Sequence, residues 1–152
     1  MKRSTRMTNL AELAHLEEQA AAGQLAEARA NLAREQASLE TLKTYLVEYQ
    51  NRARTNREQN SPRQMADFAK FINQLNTAIQ DQSQRVALYA QRYEMCQLEW
   101  RARHVRVDAL QKVSEQSKKQ EQSLIRKRAD QQLIDRVPLV HRYSSEANAW
   151  LD

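Results

Sequence analysis

The stretch TNREQNSPRQMADF, residues 55–68, decides the fold because it separates two long segments with helical periodicity. Ser61 is a preferred helix N-cap residue, Pro62 suits the first helical position, and Gln64 completes a capping box with Ser61. A helix is therefore predicted to begin at about residue 62. The connection before it, at about 57–61, is short and polar, so we expect the flanking segments to fold back on each other as antiparallel helices.

The apolar positions before this connection alternate at intervals of three and four residues, which is the spacing of a coiled-coil seam. Such a seam predicts a helix that buries one stripe of side chains against a partner helix. Its positions are Leu25, Ala28, Leu32, Glu35, Leu39, Leu42, Leu46, Tyr49 and Ala53.

Three leucines upstream of this seam fall in a shifted register. They are Leu10, Leu13 and Leu16, and the alanine run at 20–22 lies where the seam can drift between the two registers. We expect these leucines to join the core. Helix one is predicted over about 8–56.

A second and longer seam follows the connection. Beyond Leu110 the same spacing falls on Ser114, Ser117 and Glu121, so the helical period persists while the apolar content fails. We therefore expect helix two, predicted over about 62–136, to lose its partner shortly after Leu110. The positions of this seam up to Leu110, apolar except for Gln82 and Arg103, are Phe68, Ile72, Leu75, Ile79, Gln82, Val86, Tyr89, Tyr93, Cys96, Trp100, Arg103, Val107 and Leu110.

The two seams match each other when the chain reverses near residues 60–61. Position i then faces about position 121 − i, so Tyr49 faces Ile72 and Leu13 reaches Val107. The predicted fold is all-α, an antiparallel two-helix coiled-coil hairpin with an elongated rod shape. An intermolecular coiled coil stays open as the alternative.

The two ends of the chain are predicted to lie outside the hairpin. Residues 1–7 form a basic lead. Pro138 is expected to end helix two, because proline disrupts a helix interior, and residues 137–152 are expected to form a flexible tail. The tail carries Trp150 and Leu151, to which no role is assigned.

The composition excludes most other architectures. The chain has 152 residues with one glycine and two prolines, too few turn-forming residues for a many-stranded sheet or a bundle with short loops. Cys96 is the single cysteine, so no internal disulfide is expected. No secretory signal or membrane-spanning run is recognisable, and we expect a soluble, cytoplasmic protein.

The net charge of +5 is unevenly distributed. Residues 10–50 hold seven acidic and three basic side chains, whereas residues 100–128 hold nine basic and three acidic ones. This asymmetry favours pairing of the two halves and leaves basic surface for an outside partner. A nucleic acid is one alternative partner, although the basic residues are spread around the helix.

No catalytic residue, metal site or cofactor site is predicted. His15, His104 and His141 are far apart in sequence, without cysteines or carboxylates at metal-ligand spacing. Gly23 alone cannot build a phosphate-binding loop. Cys96 lies on the seam and is expected to be a packed thiol rather than a nucleophile. We therefore expect neither an enzyme nor a small-molecule substrate.

An exposed aromatic patch is predicted beside the seams near the connection. Tyr45 flanks the first seam, and Phe71 and Ala78 flank the second. Exposed aromatic surface on a soluble protein often marks a partner site. Alternatively, Tyr45 and Phe71 broaden the core. The patch comprises Leu42, Tyr45, Tyr49, Phe71, Leu75 and Ala78.

Three stretches resemble the flagellar export protein FliJ family: LETLKTYLVEYQNRAR at 39–54, DFAKFINQLNTAIQDQSQRV at 67–86 and LEWRARHVRVDAL at 98–110. The resemblance runs from about Met7 to Asp135. Its most specific features are the Tyr45 and Tyr49 pair with Gln50, the block from Phe71 to Ile79, and Trp100.

The resemblance implies a coiled coil similar to the central stalk of rotary F-type ATPases. It also implies a component of the flagellar type III export apparatus, cytoplasmic and peripheral at the inner face of the inner membrane. The implied partners are the hexameric export ATPase, the cytoplasmic linker region of the membrane-embedded export-gate protein, and export chaperones. The equivalent stalk protein of a virulence secretion system and a basic nucleic-acid-binding coiled coil are the alternatives.

The resemblance also implies residue roles. The family's gate-binding patch carries over onto the six patch residues named above, and the paired termini are expected to face the ATPase. Gln132 and Arg136 depart from the family's closing segment, which weakens any contact drawn from that part of the chain. The candidate ATPase-facing basic surface is Lys112, Lys118, Lys119, Arg126, Lys127 and Arg128.

Overall fold

The structure, a computed structural model, describes the backbone of residues 2–149 and the side chains of residues 2–136. It contains two helices, α1 at Arg3–Thr55 and α2 at Pro62–Ala149. The helices pack against each other in opposite directions, which confirms the predicted all-α coiled-coil hairpin.

The connection between the helices contains the predicted capping box. The Gln64 backbone amide donates to Ser61 Oγ at 3.3 Å, and the Ser61 amide donates to Gln64 Oε1 at 3.1 Å. Each bond satisfies an amide that the first turn of α2 leaves without a helical partner. Pro62 occupies the first helical position, where the missing amide proton costs nothing.

The chain divides into two compact units. The central unit is Glu17–His104, and the terminal unit combines Met1–Leu16 with Val105–Asp152. Each unit contains a part of α1 and a part of α2, and each is described by itself below.

The central unit has an apolar seam with the predicted pairing. The ring of Tyr49 lies 4.4 Å from that of Phe71, and Arg103 Nη1 donates to Glu17 Oε2 at 2.9 Å. Both pairs agree with position i facing about position 121 − i. Leu75 is the most deeply buried large side chain of this seam, with 7% of its surface exposed.

One layer of the central seam is polar. Gln82 Nε2 donates to the Glu35 backbone carbonyl at 3.0 Å and to Glu35 Oε2 at 2.6 Å. Arg85 Nε lies 3.2 Å from Glu35 Oε2. The side chain of Glu35 is only 18% exposed, so these contacts supply the hydrogen bonds that its burial requires.

The terminal unit has a seam of small and polar residues. Ser4, Ala14, Val107, Ser114 and Ser117 are all buried there. The carboxylate of the half-buried residue Glu121 accepts two hydrogen bonds from Ser4, one from its amide at 3.1 Å and one from Oγ at 2.6 Å. The hydroxyl groups of Thr8 and Ser114 are 3.0 Å apart.

The prediction that helix two loses its partner soon after Leu110 is therefore wrong. The pairing continues to Glu121 because serine and threonine hydroxyls replace apolar contacts with hydrogen bonds. The polar residues that were expected to mark the end of the pairing form the seam of the terminal unit.

The prediction that Leu10, Leu13 and Leu16 join the core is also wrong. These side chains are 42%, 54% and 61% exposed. The seam continues backward in an unbroken register through the buried Ala14 and Ala21. The leucines one or two positions away consequently point outward.

Both helices extend beyond their predicted ends. α1 begins at Arg3, inside the predicted basic lead, because Glu121 accepts hydrogen bonds at its first turn. α2 continues through Pro138 to Ala149 instead of ending near 136. A proline inside a helix removes one hydrogen bond at a cost of about 3 kcal/mol, which flanking helical residues can offset. The flexibility of the tail stays a prediction, and Trp150 and Leu151 lie outside the described residues.

Within residues 2–149, neither helix has a segment sufficiently long and apolar to span a bilayer.

Candidate functional site

The structure separates the six predicted patch residues by exposure. Tyr45 is 48% exposed and Phe71 is 37% exposed, whereas Leu75 is buried in the seam. The remaining three, Leu42, Tyr49 and Ala78, are half-buried. The patch therefore has an exposed part that is available to a partner and a buried part that holds the two helices together.

Tyr45 and Phe71 lie along the same edge of the hairpin. Tyr45 directly precedes the seam residue Leu46, and Phe71 directly precedes the seam residue Ile72. In an antiparallel pair, the residues that precede the seam on the two helices share one edge. Ala78, which precedes Ile79, lies on this edge as well.

Tyr49 anchors an aromatic cluster beneath this edge. Its ring centroid lies 4.4 Å from that of Phe71 and 6.5 Å from that of Phe68. The guanidinium of Arg52 lies 5.4 Å from the Tyr49 centroid, within the range of a cation–π contact. These contacts hold the Phe71 ring in place while leaving its outer face accessible.

A shallow groove of about 490 Å³ opens beside this cluster. Asn60 is one of the residues that line the groove, and its Nδ2 atom is buried without a hydrogen-bond partner among the described residues. The partly exposed aromatic rings beside it form a surface that can bind an apolar segment. The groove is lined by Tyr49, Asn60, Gln64, Asp67, Phe68 and Phe71.

The six residues of the predicted basic surface are all exposed. Lys112, Lys119 and Arg126 follow each other at intervals of seven, so they lie along one face of α2. Lys118, Lys127 and Arg128 lie elsewhere on the helix circumference. The structure thus supports a basic stripe of three residues rather than one continuous surface of six.

Lys118 lines a second groove of about 700 Å³ in the terminal unit. This groove is lined by side chains of both charges, Glu12 and Glu115 as well as Lys118. His15 also lines it, beside the exposed side chain of Leu16. Its mixed polar and charged lining resembles an ordinary hydrated coiled-coil surface.

His104 contacts two neighbouring side chains, whereas the side chain of His141 lies outside the described residues. His104 stacks on Trp100 with centroids 5.1 Å apart, and its Nδ1 lies 3.2 Å from Glu18 Oε1. Cys96 is half-buried on the seam, as predicted. In the part of the chain that the structure describes, no three His, Cys, Asp or Glu side chains group together as metal ligands would.

Two features of the site were missed by sequence reasoning. Arg52 and Asn60 belong to the aromatic cluster and groove, although neither stands out in the sequence. Arg52 lies three residues after Tyr49, a spacing that places both on one helix face and could have identified the contact. No sequence pattern marks Asn60, because its burial depends on how the connection folds.

One of the comparisons with known proteins identifies a family. A family model described as "Flagellar FliJ protein" matches residues 1–137, which is most of the chain. No curated protein and no solved structure matches the chain.

Proposed function

Because the chain belongs to the flagellar FliJ protein family, we propose that it couples the hexameric export ATPase to the export gate. Members of this family are components of the flagellar type III export apparatus. The family is not known as a family of enzymes. The match to the flagellar family favours this apparatus over its virulence counterpart. The single observation that carries the residue-level proposal is the exposed Tyr45 and Phe71 edge beside an otherwise packed seam.

The gate-binding surface is the edge formed by Tyr45, Phe71 and Ala78, together with the adjoining groove. Tyr45 is the strongest candidate anchor, because its exposed ring buries additional apolar area on binding. Leu75 acts indirectly, by fixing the spacing between the helices, and the half-buried Leu42 and Tyr49 contribute mainly in this way.

The gate-binding proposal is tested with Tyr45→Ala and binding to the purified cytoplasmic part of the gate protein. Loss of an anchor ring is expected to weaken binding about 10-fold or more, while the melting temperature stays nearly unchanged. Val47→Ala is the matched control, because Val47 is 55% exposed on the same helix but does not lie on the patch edge. Equal affinity of wild type and Tyr45→Ala would exclude this edge as the gate site.

The ATPase-binding surface is proposed to lie in the terminal unit, where the basic stripe of Lys112, Lys119 and Arg126 is exposed. A protein that binds inside a ring can alter ATP hydrolysis only by binding one state of the ring more tightly than another. Export chaperones are proposed as further partners, and the protein would act at the cytoplasmic face of the membrane that holds the gate.

The ATPase proposal is tested by titrating this protein into the export ATPase of the same organism. Stimulation of ATP hydrolysis that saturates near one protein per six ATPase subunits supports a position inside the ring. Replacing all three stripe residues by glutamine should raise the concentration needed for half-maximal stimulation. Absence of any stimulation by the folded protein would contradict the proposed ATPase role. The gate-binding role would be unaffected by this result, because the Tyr45→Ala experiment tests it separately.

A further inference from the structure

The central unit carries a second apolar stripe on the side of α2 that faces away from α1. Leu88, Met95 and Leu98 are 67%, 70% and 60% exposed. Ala102 follows Leu98 after four residues and is also exposed. The intervals of seven, three and four are those of a coiled-coil seam, here without a helix packed on it. Exposed positions of a coiled coil are ordinarily polar, so this stripe requires an occupant.

We propose that the occupant is a second copy of this chain, whose α2 lies antiparallel on the same stripe. The proposal rests on the self-complementarity of the stripe. When Met95 faces Leu98 of the second copy, Leu98 faces Met95 in return, as an isologous interface demands. Gln91 and Ala102 then face each other across the next layer on either side.

The charged residues that border the stripe pair correctly in this register. Glu94 and Arg101 directly precede stripe positions and form one edge, where Glu94 faces Arg101 of the second copy. Arg92 and Glu99 directly follow stripe positions and form the other edge, where Arg92 faces Glu99 of the second copy. The two-fold symmetry repeats each pair, so four pairs of opposite charge surround the apolar layers.

Other registers place like charges together. A shift of one heptad in one direction sets Arg101 against Arg101 of the second copy, and a shift in the other direction sets Glu94 against Glu94. Parallel pairing places Glu94 beside Glu99 of the second copy. Like charges at such edge positions oppose association, so the sequence of this stripe selects one antiparallel register.

The interface is small, with four apolar side chains from each copy. An interface below the usual size for stable complexes gives weak, concentration-dependent association. We expect a dissociation constant on the order of 10–100 μM. The residues of the stripe are separate from Tyr45 and Phe71, so the dimer goes beyond the proposed gate-binding role and does not depend on it.

Sedimentation of the full chain tests the proposal over about 5 to 500 μM, around the expected dissociation constant. The wild-type mass should rise from that of the 17.8 kDa monomer towards twice that value. Glu94→Arg and Arg101→Glu should each weaken association at least about tenfold, because each sets two like-charge contacts in the dimer. Neither residue lies in the seam with α1, and circular dichroism verifies that both variants keep their helices.

Restoration by a charge exchange gives the sharpest result. The double variant Glu94→Arg with Arg101→Glu should dimerise again with an affinity close to that of wild type, as should an equimolar mixture of the two single variants. Glu48→Arg, an exposed site of α1 with the same change in charge, is the matched control and should associate like wild type. A monomeric wild type at all concentrations, an unaffected Glu94→Arg, or a double variant that stays monomeric would each overturn the proposal. The first of these outcomes would leave the stripe to a different protein.

Discussion

The seams of the central and terminal units follow the same heptad spacing with different chemistry. In the central unit, large side chains such as Leu75 and Tyr49 fill the space between the helices. In the terminal unit, the corresponding positions hold Ser4, Ser114 and Ser117, and hydrogen bonds replace much of the apolar contact. The heptad spacing therefore determines which residues pair, and the side-chain type determines what holds the pair together.

The difference also separates the surfaces proposed to bind partners. The apolar seam of the central unit is wide enough for aromatic rings to spread to its edge, where Tyr45 and Phe71 stay exposed. The polar seam of the terminal unit has no comparable aromatic edge among the described side chains, and its outer surface is basic. A partner with apolar side chains is thus matched to the first unit, and a partner with acidic loops to the second.

The largest expected effect comes from removing apolar volume in the central seam. Leu75→Ala should lower the free energy of unfolding by about 2–4 kcal/mol, because it removes buried methyl groups and leaves a cavity. Chemical denaturation followed by circular dichroism measures this loss. Asn76→Ala is the control, since Asn76 is exposed and adjacent. A loss below about 0.5 kcal/mol would mean that this seam contributes little to stability.

A smaller effect is expected from the polar layer within the central seam. Glu35→Leu alone removes the carboxylate acceptor of the Gln82 amide, which keeps only its bond to the backbone carbonyl of residue 35, and should cost about 1–3 kcal/mol. Replacing both Glu35 and Gln82 by leucine should be neutral or stabilising, because no unpaired polar group then stays buried. Denaturation of both single variants and the double variant measures the coupling. Additive losses in the double variant would show that the two side chains do not depend on each other.

The smallest effect is expected at Glu121, and it depends on pH. Hydrogen bonds from the Ser4 hydroxyl and amide lower the pKa of the Glu121 carboxyl, with a further contribution from the charge of Lys2. The folded pKa of Glu121 therefore lies below its ordinary value of 4.5. The stability that the ionised carboxylate adds to the fold is complete above that pH and is lost as the pH falls through the folded pKa. The protection of the Thr8 amide, taken relative to its intrinsic exchange rate at each pH, should consequently fall in acid.

Glu121→Gln isolates this carboxyl from the others that titrate in the same range. The variant keeps the shape of the side chain and removes its charge, so the Thr8 amide should be less protected than in wild type at neutral pH, and its protection should depend less on pH. An identical pH profile in wild type and variant would show that Glu121 does not stabilise the beginning of α1.

Much of the fold followed from local sequence signals. Ser61, Pro62 and Gln64 marked the start of α2, and the three-four spacing around Leu42 and Leu75 defined the central seam and its pairing. These signals are reliable because capping and apolar spacing act through neighbouring residues and through one dominant physical effect.

The terminal unit was harder to predict because hydrophobicity was the wrong guide there. Leu10 and Leu13 were predicted to join the core because they are the large apolar residues of that segment. Extending the three-four spacing backward from Leu25 leads instead to Ala21 and Ala14, which are buried. Whether a serine in a heptad position is buried depends on a partner hydroxyl or carboxylate on the other helix, and a single helix does not reveal that partner. The edge of the aromatic patch was predictable from spacing, whereas the exposure of each ring required the packed structure.

The most direct test of helix pairing in the terminal unit is a cross-link across its polar seam. Thr8→Cys with Ser114→Cys, in a Cys96→Ser background, should form an intramolecular disulfide under mild oxidation, because the two hydroxyl oxygens lie 3.0 Å apart. Leu13→Cys with Ser114→Cys is the control, and its exposed cysteine should stay unpaired. Efficient cross-linking of the first pair alone is the predicted result. Failure of that pair to cross-link, or equal yields from both pairs, would contradict a seam that continues through the terminal unit.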